Sequence, residues 1–312
     1  MFDATGIWIP LVTPLRDGAV DVPSLQRLVR HLAAQGVAGF VVCGSTGEAA
    51  MLSSAEQDRV LSATLDAAGA LPVLMGLAGV QPRAVARRAT DVAARSPGVA
   101  GFLLAPPAYV RPSQGGLLDF FTAVAEASPR PLVLYDIPAR TGVRIETPTL
   151  RALAGHPRIV GVKDCSGDRT AAEAVLADGR LALLGGNDDE LFDQLARGAA
   201  GAIVASAHVA TAAFVSLQRR LQVGQLHEAR AIWRRLAPLT RALFAEPNPA
   251  PVKGVLARLG WIGNELRAPL QPACAETLDA ACALLDRADL HPGPPLPRIG
   301  MEDAEWRHAP PR

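Results

Sequence analysis

Lysine occurs at only two of the 312 positions, Lys163 and Lys253, although the chain carries 31 Lys and Arg residues. Lys163 closes the apolar run "IVGVKDCSG" at residues 159–167. Where arginine supplies nearly every other positive charge, a retained lysine points to what an amine does and a guanidinium does not: lose its proton and attack a carbonyl. A free lysine, with a pKa near ~10.4, is only about 0.04% neutral at pH 7. Desolvation beside Ile159, Val160 and Val162 is expected to lower that pKa by about 3 pH units, worth about 4 kcal/mol. The amine then condenses with a ketone or aldehyde to a Schiff base, an electron sink that makes the adjacent carbon nucleophilic. A lysine ion-paired to Asp164 at a strand end is the alternative.

Such chemistry needs a group that moves protons. The chain has 2 tyrosines, Tyr109 and Tyr135, and both end apolar runs, which places them with Lys163 on one expected face. Tyr135, on the preceding run, suits a general acid/base, with the hydroxyls of Ser45 and Tyr109 as relay partners. The loop "GSTGE", Gly44 to Glu48, lacks the Gly-Lys-Ser ending of a nucleotide-phosphate loop. Its turn can still aim backbone N–H groups and the Ser45 and Thr46 hydroxyls at a carboxylate. Asn187, Asp188 and Asp189 read either as metal ligands or as acids favouring a helix N-terminus. His208 ends the last apolar run as a packed polar residue or a substrate contact. Lys253 follows "NPAP" on a helix outside the barrel and reads as structural.

The elements that must position these residues alternate regularly. Eight apolar runs, "GIWIPLV", "VAGFVVCG", "LPVLMGLAG", "VAGFLLAPP", "PLVLYDIP", "IVGVKDCSG", "LALLGG" and "GAIVASAHV", lack strict polar alternation, as strands covered on both faces do. A longer stretch with helical spacing follows each of them. "SLQRLVRHLAAQG" carries Leu25, Leu28, Val29 and Leu32 on one side and stops at Gly36, and further helices open near Ser53, Gln81, Gly115, Thr147, Asp168 and Asp188. The pattern predicts a (β/α)8 TIM barrel, whose active site lies at the C-terminal ends of the strands. A doubly wound sheet is disfavoured by the count of eight and by the lack of a G-x-G-x-x-G turn. Strands cease near Leu226. The expected organisation is a barrel over 1–224, a C-terminal helical domain over 225–292 and a proline-rich tail over 293–312.

Composition narrows the function classes. The formal charge is +1 with acids and bases interspersed, so neither nucleic acid nor an anionic membrane is an expected partner. The 4 cysteines show no C-x-x-C spacing, which argues against zinc or a disulfide framework. The opening "MFDATGIWIPLVTPL" lacks a basic leader region, and no apolar stretch approaches the ~20 residues of a spanning helix, so the expected location is cytoplasmic.

Seven collinear segments, "GIWIPLVTPL", "GSTGEAAML", "PPAYVRPSQGG", "YDIPARTG", "IVGVKDCSG", "GGNDD" and "NPAPVK", resemble the dihydrodipicolinate synthase and N-acetylneuraminate lyase family of pyruvate Schiff-base aldolases. The resemblance implies a (β/α)8 barrel with a C-terminal helical domain, a homotetramer or homodimer, and no metal or organic cofactor. It implies pyruvate held as an imine on Lys163, its carboxylate on Ser45 and Thr46, and Tyr135 moving protons. It also implies Tyr109 crossing from a neighbouring subunit, and Gly186 and Ile203 lining the pyruvate pocket. Arg140 matches the arginine with which the synthases grip the carboxylate of aspartate semialdehyde, and the bidentate geometry of a guanidinium suits that task. The implied activity is therefore condensation of pyruvate with L-aspartate 4-semialdehyde. Alternatives are the same chemistry on a keto-deoxy sugar acid or N-acetylneuraminate-like substrate, a keto-acid-binding barrel without turnover, and a phosphate-handling barrel. Ser45 stands where the synthases carry threonine. Val80 and Ala84 replace polar lysine ligands, so feedback by lysine is not expected.

Overall fold

The eight apolar runs become eight parallel strands in chain order: β1 (Gly6–Pro10), β2 (Gly39–Val42), β3 (Val73–Leu77), β4 (Gly101–Leu104), β5 (Leu132–Asp136), β6 (Ile159–Asp164), β7 (Ala182–Gly185) and β8 (Gly201–Ile203). β1 pairs with β2 on one side and β8 on the other, so the sheet closes and leaves no open edge. The computed structural model describes residues 3–288 and Leu290. The tail assigned to 293–312, and the end of the 225–292 span, lie outside the described residues.

The uninterrupted apolar character of the strands has a direct cause. Successive side chains point to opposite faces, and both faces are buried. Trp8, Val41, Leu74, Leu103, Val133, Leu184 and Ile203 pack together in the barrel interior. Their neighbours Phe40, Val42, Met75, Phe102, Leu104, Leu132 and Leu134 face outward into a second core shared with the helices.

The outer layer comprises α1 (Val22–Ala34), α2 (Ser54–Ala68), α3 (Pro82–Arg95), α4 (Gln114–Ala127), α5 (Thr147–Leu153), α6 (Arg169–Asp178), α7 (Leu191–Ala196) and α8 (Thr211–Gln222). α1 begins two residues before the expected Ser24, because the Asp21 side chain accepts from the Ser24 N–H and caps it. Ser53 and Glu56 form a reciprocal capping box on α2. α4 begins one residue before Gly115, since Ser113 is its cap. α8 completes the eight expected strand–helix units, but its start was not located, since its cap position, Ala210, offers no side-chain bond to mark it.

Beyond the barrel come α9 (Leu226–Leu243), α10 (Ala250–Arg258) and α11 (Ala275–Ala288). Leu236, Leu239, Leu243, Val252, Val255, Leu256 and Leu285 join the outer core. α9 packs on α8 and α11. The end of α9 and the segment after it thereby reach the C-terminal mouth of the barrel.

Candidate active site

Lys163 faces the barrel interior because of an irregularity in β6. Ile159 packs in the outer core and Val160 against the inner one. Simple alternation would send Val162 inward and Lys163 outward. The pairing with β5 instead steps from Leu132 opposite Ile159 to Val133 opposite Gly161, so Val160 is an extra residue in the strand. This bulge resets the alternation. Val162 then packs outward, and Lys163 comes level with Tyr135 on the neighbouring strand. The Lys163 Nζ lies 4.3 Å from the centroid of the Tyr135 ring.

Gly186 makes room for that side chain. A Cβ there would stand 2.3 Å from Cys165 Sγ, 2.9 Å from the Asp164 carbonyl oxygen and 3.0 Å from Lys163 Cε. A larger residue there would collide first with Cys165 and the Asp164 backbone and would also crowd the lysine.

Lys163 opens into a cavity of about 340 Å³ at the C-terminal ends of the strands. Its walls include Ser45, Thr46, Tyr135, Arg140, Gly186 and Ile203. One chain therefore brings seven of the eight expected site residues to one chamber. A second, more apolar cavity of about 380 Å³ adjoins it and shares Ser45, Tyr135, Arg140 and Asn248.

Tyr109 is the exception. It lies in the loop after β4 with φ at +72°, is 94% exposed, and borders neither cavity within its own chain. The loop after β4 opens at the same C-terminal end of the barrel as Lys163 and Tyr135, but within the single chain the Tyr109 ring stays outside the chamber.

The "GSTGE" loop folds back on itself. The N–H groups of Gly47, Glu48 and Ala49 donate back to the carbonyls of Gly44 and Ser45. Among the described residues, the N–H groups of Ser45 and Thr46 have no protein acceptor, and both residues line the cavity. The turn is fastened from below. Thr13 Oγ1 donates to the Gly47 carbonyl at 2.7 Å, and Glu48 is buried against Lys253, Oε1 to Nζ 2.5 Å. Lys253 also donates to the Thr13 carbonyl at 2.8 Å. Its structural role is thus a buried ion pair joining α10 to the loop.

Electrostatics correct one expectation. Burial does push the Lys163 amine toward its neutral form. The surrounding Tyr135, Cys165 and Asp188 groups oppose this, and the balance lies above the ordinary lysine value. Burial raises the Tyr135 phenol as well, and pushes the Cys165 thiol up to about 12. The Tyr135 hydroxyl lies 3.4 Å from Ser45 Oγ. Asp188, also raised by burial, accepts from the Ser206 N–H at 2.6 Å.

Arg140 stands on the single helical turn Pro138–Thr141 directly after β5. Its Nη2 donates to the Asn248 carbonyl at 3.4 Å, and among the described residues no carboxylate pairs with it. His208 is packed: its Nε2 accepts from the Val12 N–H at 3.2 Å, and Nδ1 lies 2.8 Å from the Ala205 carbonyl oxygen. Sequence reading missed Arg241, Phe244 and Asn248, which the C-terminal segment brings to the cavity. Only the "NPAP" motif signalled any of them.

The family model described as the dihydrodipicolinate synthetase family matches residues 3–288. The chain belongs to this family. Its relative 4-hydroxy-tetrahydrodipicolinate synthase 2 from Clostridium acetobutylicum is 37% identical over 271 residues, covering 86% of this chain and 94% of that protein. The crystal structure of dihydrodipicolinate synthase from Thermotoga maritima matches with a TM-score of 0.89 at 31% identity, covering 93% of this chain and 100% of that one. The chloride-inhibited dihydrodipicolinate synthase from Acinetobacter baumannii, complexed with pyruvate, matches at 0.87 and 32% identity, covering 92% and 99%. The family model and the matched barrels span nearly the whole described chain.

Proposed function

We propose that the chain is a Schiff-base synthase condensing pyruvate with L-aspartate 4-semialdehyde, the reaction of a 4-hydroxy-tetrahydrodipicolinate synthase. The observation that carries this reading is the buried Lys163, level with Tyr135 and opening into a chamber that also holds the Ser45–Thr46 turn. Lys163 first gives up a proton, and its amine adds to the keto carbon of pyruvate. The former carbonyl oxygen, protonated through Tyr135 and Ser45, leaves as water, and a C=N bond forms. The methyl carbon then loses a proton and attacks the aldehyde carbon, whose oxygen takes a proton. The acceptor's own amine displaces Lys163 as the ring closes, restoring the free lysine. Pyruvate's carboxylate is met by the unpaired N–H groups of Ser45 and Thr46, and the acceptor's by Arg140.

Arg140→Ala should leave trapping of pyruvate on Lys163 intact and raise the acceptor KM about tenfold or more, the worth of a charge-assisted bond. Turnover of a keto-deoxy sugar acid, with none of aspartate semialdehyde, would assign the same imine to another acceptor.

The exposed Tyr109 supports a relay completed between copies of the chain, in a homodimer or homotetramer. Mixing inactive Tyr109→Phe and Lys163→Ala proteins should then restore activity in the hybrids; no restoration would count against this arrangement. A cytoplasmic location belongs to the same proposal. Among the described residues no helix is long and apolar enough to cross a membrane.

A further inference from the structure

Asn248 connects the two halves of the chamber without belonging to the barrel. It lies between α9 and α10 and borders both cavities. Its Nδ2 donates to Thr46 Oγ1 at 2.9 Å, and its main-chain oxygen accepts from Arg140 Nη2 at 3.4 Å. Its Oδ1 is buried and, among the described residues, meets no donor.

A hydroxyl has one proton and two lone pairs, whereas an amide NH₂ only donates. The bond from Asn248 therefore occupies a lone pair of Thr46 Oγ1 and leaves the hydroxyl proton to be placed elsewhere. Among the described residues that proton has no protein acceptor, and Thr46 is buried at the cavity wall. Beside it stand the unpaired N–H groups of Ser45 and Thr46. An anion seated there would meet three donors from one turn.

We propose that Asn248 is a positioning residue for the keto acid: by donating to Thr46 Oγ1 it aims the Thr46 hydroxyl proton into the Lys163 chamber, where it receives the substrate's carboxylate. This rests on the reading of the site as a pyruvate imine site. It assigns a substrate-binding task to the segment between α9 and α10, apart from its packing role. Lys253, five residues on, fastens the same turn from beneath through Glu48. The C-terminal region thus holds the carboxylate turn at two points.

The test uses borohydride trapping of pyruvate on the full chain, reading the pyruvate concentration at half-maximal labelling of Lys163. Asn248→Ala should raise that concentration about tenfold, the scale of one hydrogen bond to a charged group, with full labelling still reached at saturation. Thr46→Val should do the same. In the double variant the second change should add little, since both remove one interaction; an additive rise would overturn the proposal. Asn248→Asp is the sharper probe, because its carboxylate must accept the Thr46 proton and turn the hydroxyl away from the substrate. It should require more pyruvate than Asn248→Ala, and labelling at the wild-type concentration would show that the amide never donated to Thr46. If Asn248→Ala does not fold, the Thr46→Val and Asn248→Asp measurements decide the question. Absence of labelling in the wild type would defeat the pyruvate reading itself. Wild-type labelling with an unshifted Asn248→Ala would defeat only this inference.

Discussion

Lys253→Met removes a charge from a fully buried ion pair and nearly keeps the volume of the stem. The Lys253 and Glu48 side chains are both 0% exposed, with Nζ and Oε1 2.5 Å apart. After the change, the Glu48 carboxylate keeps one bond, from the Arg267 N–H at 2.8 Å. Breaking a buried pair by removing one partner costs about 3–5 kcal/mol, because the other charge stays buried. The surviving Arg267 bond places this case near the lower end, at about 3 kcal/mol. Glu48 has φ at +58°, in the left-handed region that non-glycine residues avoid, so its conformation is held by contacts rather than by preference. Loosening it should also disturb the carboxylate turn, raising the pyruvate needed for labelling. Urea unfolding followed by circular dichroism measures the first effect. Adding Glu48→Gln should return part of the lost stability, since the unpaired carboxylate is gone. A loss below about 1 kcal/mol, or a double variant weaker than the single, would refute the reasoning.

Two pH effects follow from the other buried groups. Imine formation should accelerate as pH rises into the alkaline range, because Lys163 must lose its proton and its neighbours hold that proton tightly. Asp188→Asn removes one of those neighbours and should move the rise to lower pH; an unmoved profile would show that Asp188 does not act on the lysine. Burial holds the His208 imidazole near 4 against 6.5 in an unfolded chain. Between those values the unfolded chain binds the extra proton, so this stability is present above 6.5 and is lost as pH falls toward 4, by at most about 3 kcal/mol at about 1.36 kcal/mol per pH unit. Asp136, pushed by burial to about 7, acts in the opposite sense over much of the same range. The measurement is therefore the difference between wild type and His208→Gln across pH 4 to 7. A difference that stays constant across that range would contradict the assignment.

The barrel was legible because burial on both faces leaves a plain mark, a run of Val, Leu and Ile without alternation. Capped helices were legible for a similar reason: Ser53 and Asp168 announce α2 and α6. α8 carries no such mark. What the sequence hid at the site was three-dimensional. Alternation from Ile159 alone would have turned Lys163 outward, and the only mark of the bulge at Val160 that turns it inward is the glycine beside it, Gly161. Nor did that run disclose Asp188, which comes from the loop after β7 and raises the lysine's proton affinity where apolar neighbours alone would lower it. Tyr109 ends a run as Tyr135 does, yet it falls in the loop beyond β4 and is exposed, whereas Tyr135 lies within β5 and is buried. Arg241 and Asn248 reach the chamber through packing of α9, about 80 residues from Lys163 in the chain.

The most direct measurement of the central claim is reduction of the protein with borohydride in the presence of pyruvate, followed by peptide mass spectrometry. The account predicts one pyruvyl-derived adduct, on Lys163, absent from Lys163→Arg and unaffected in Arg140→Ala. An adduct on Lys253 or the N-terminal amine alone, or an undiminished one in Lys163→Arg, would contradict it.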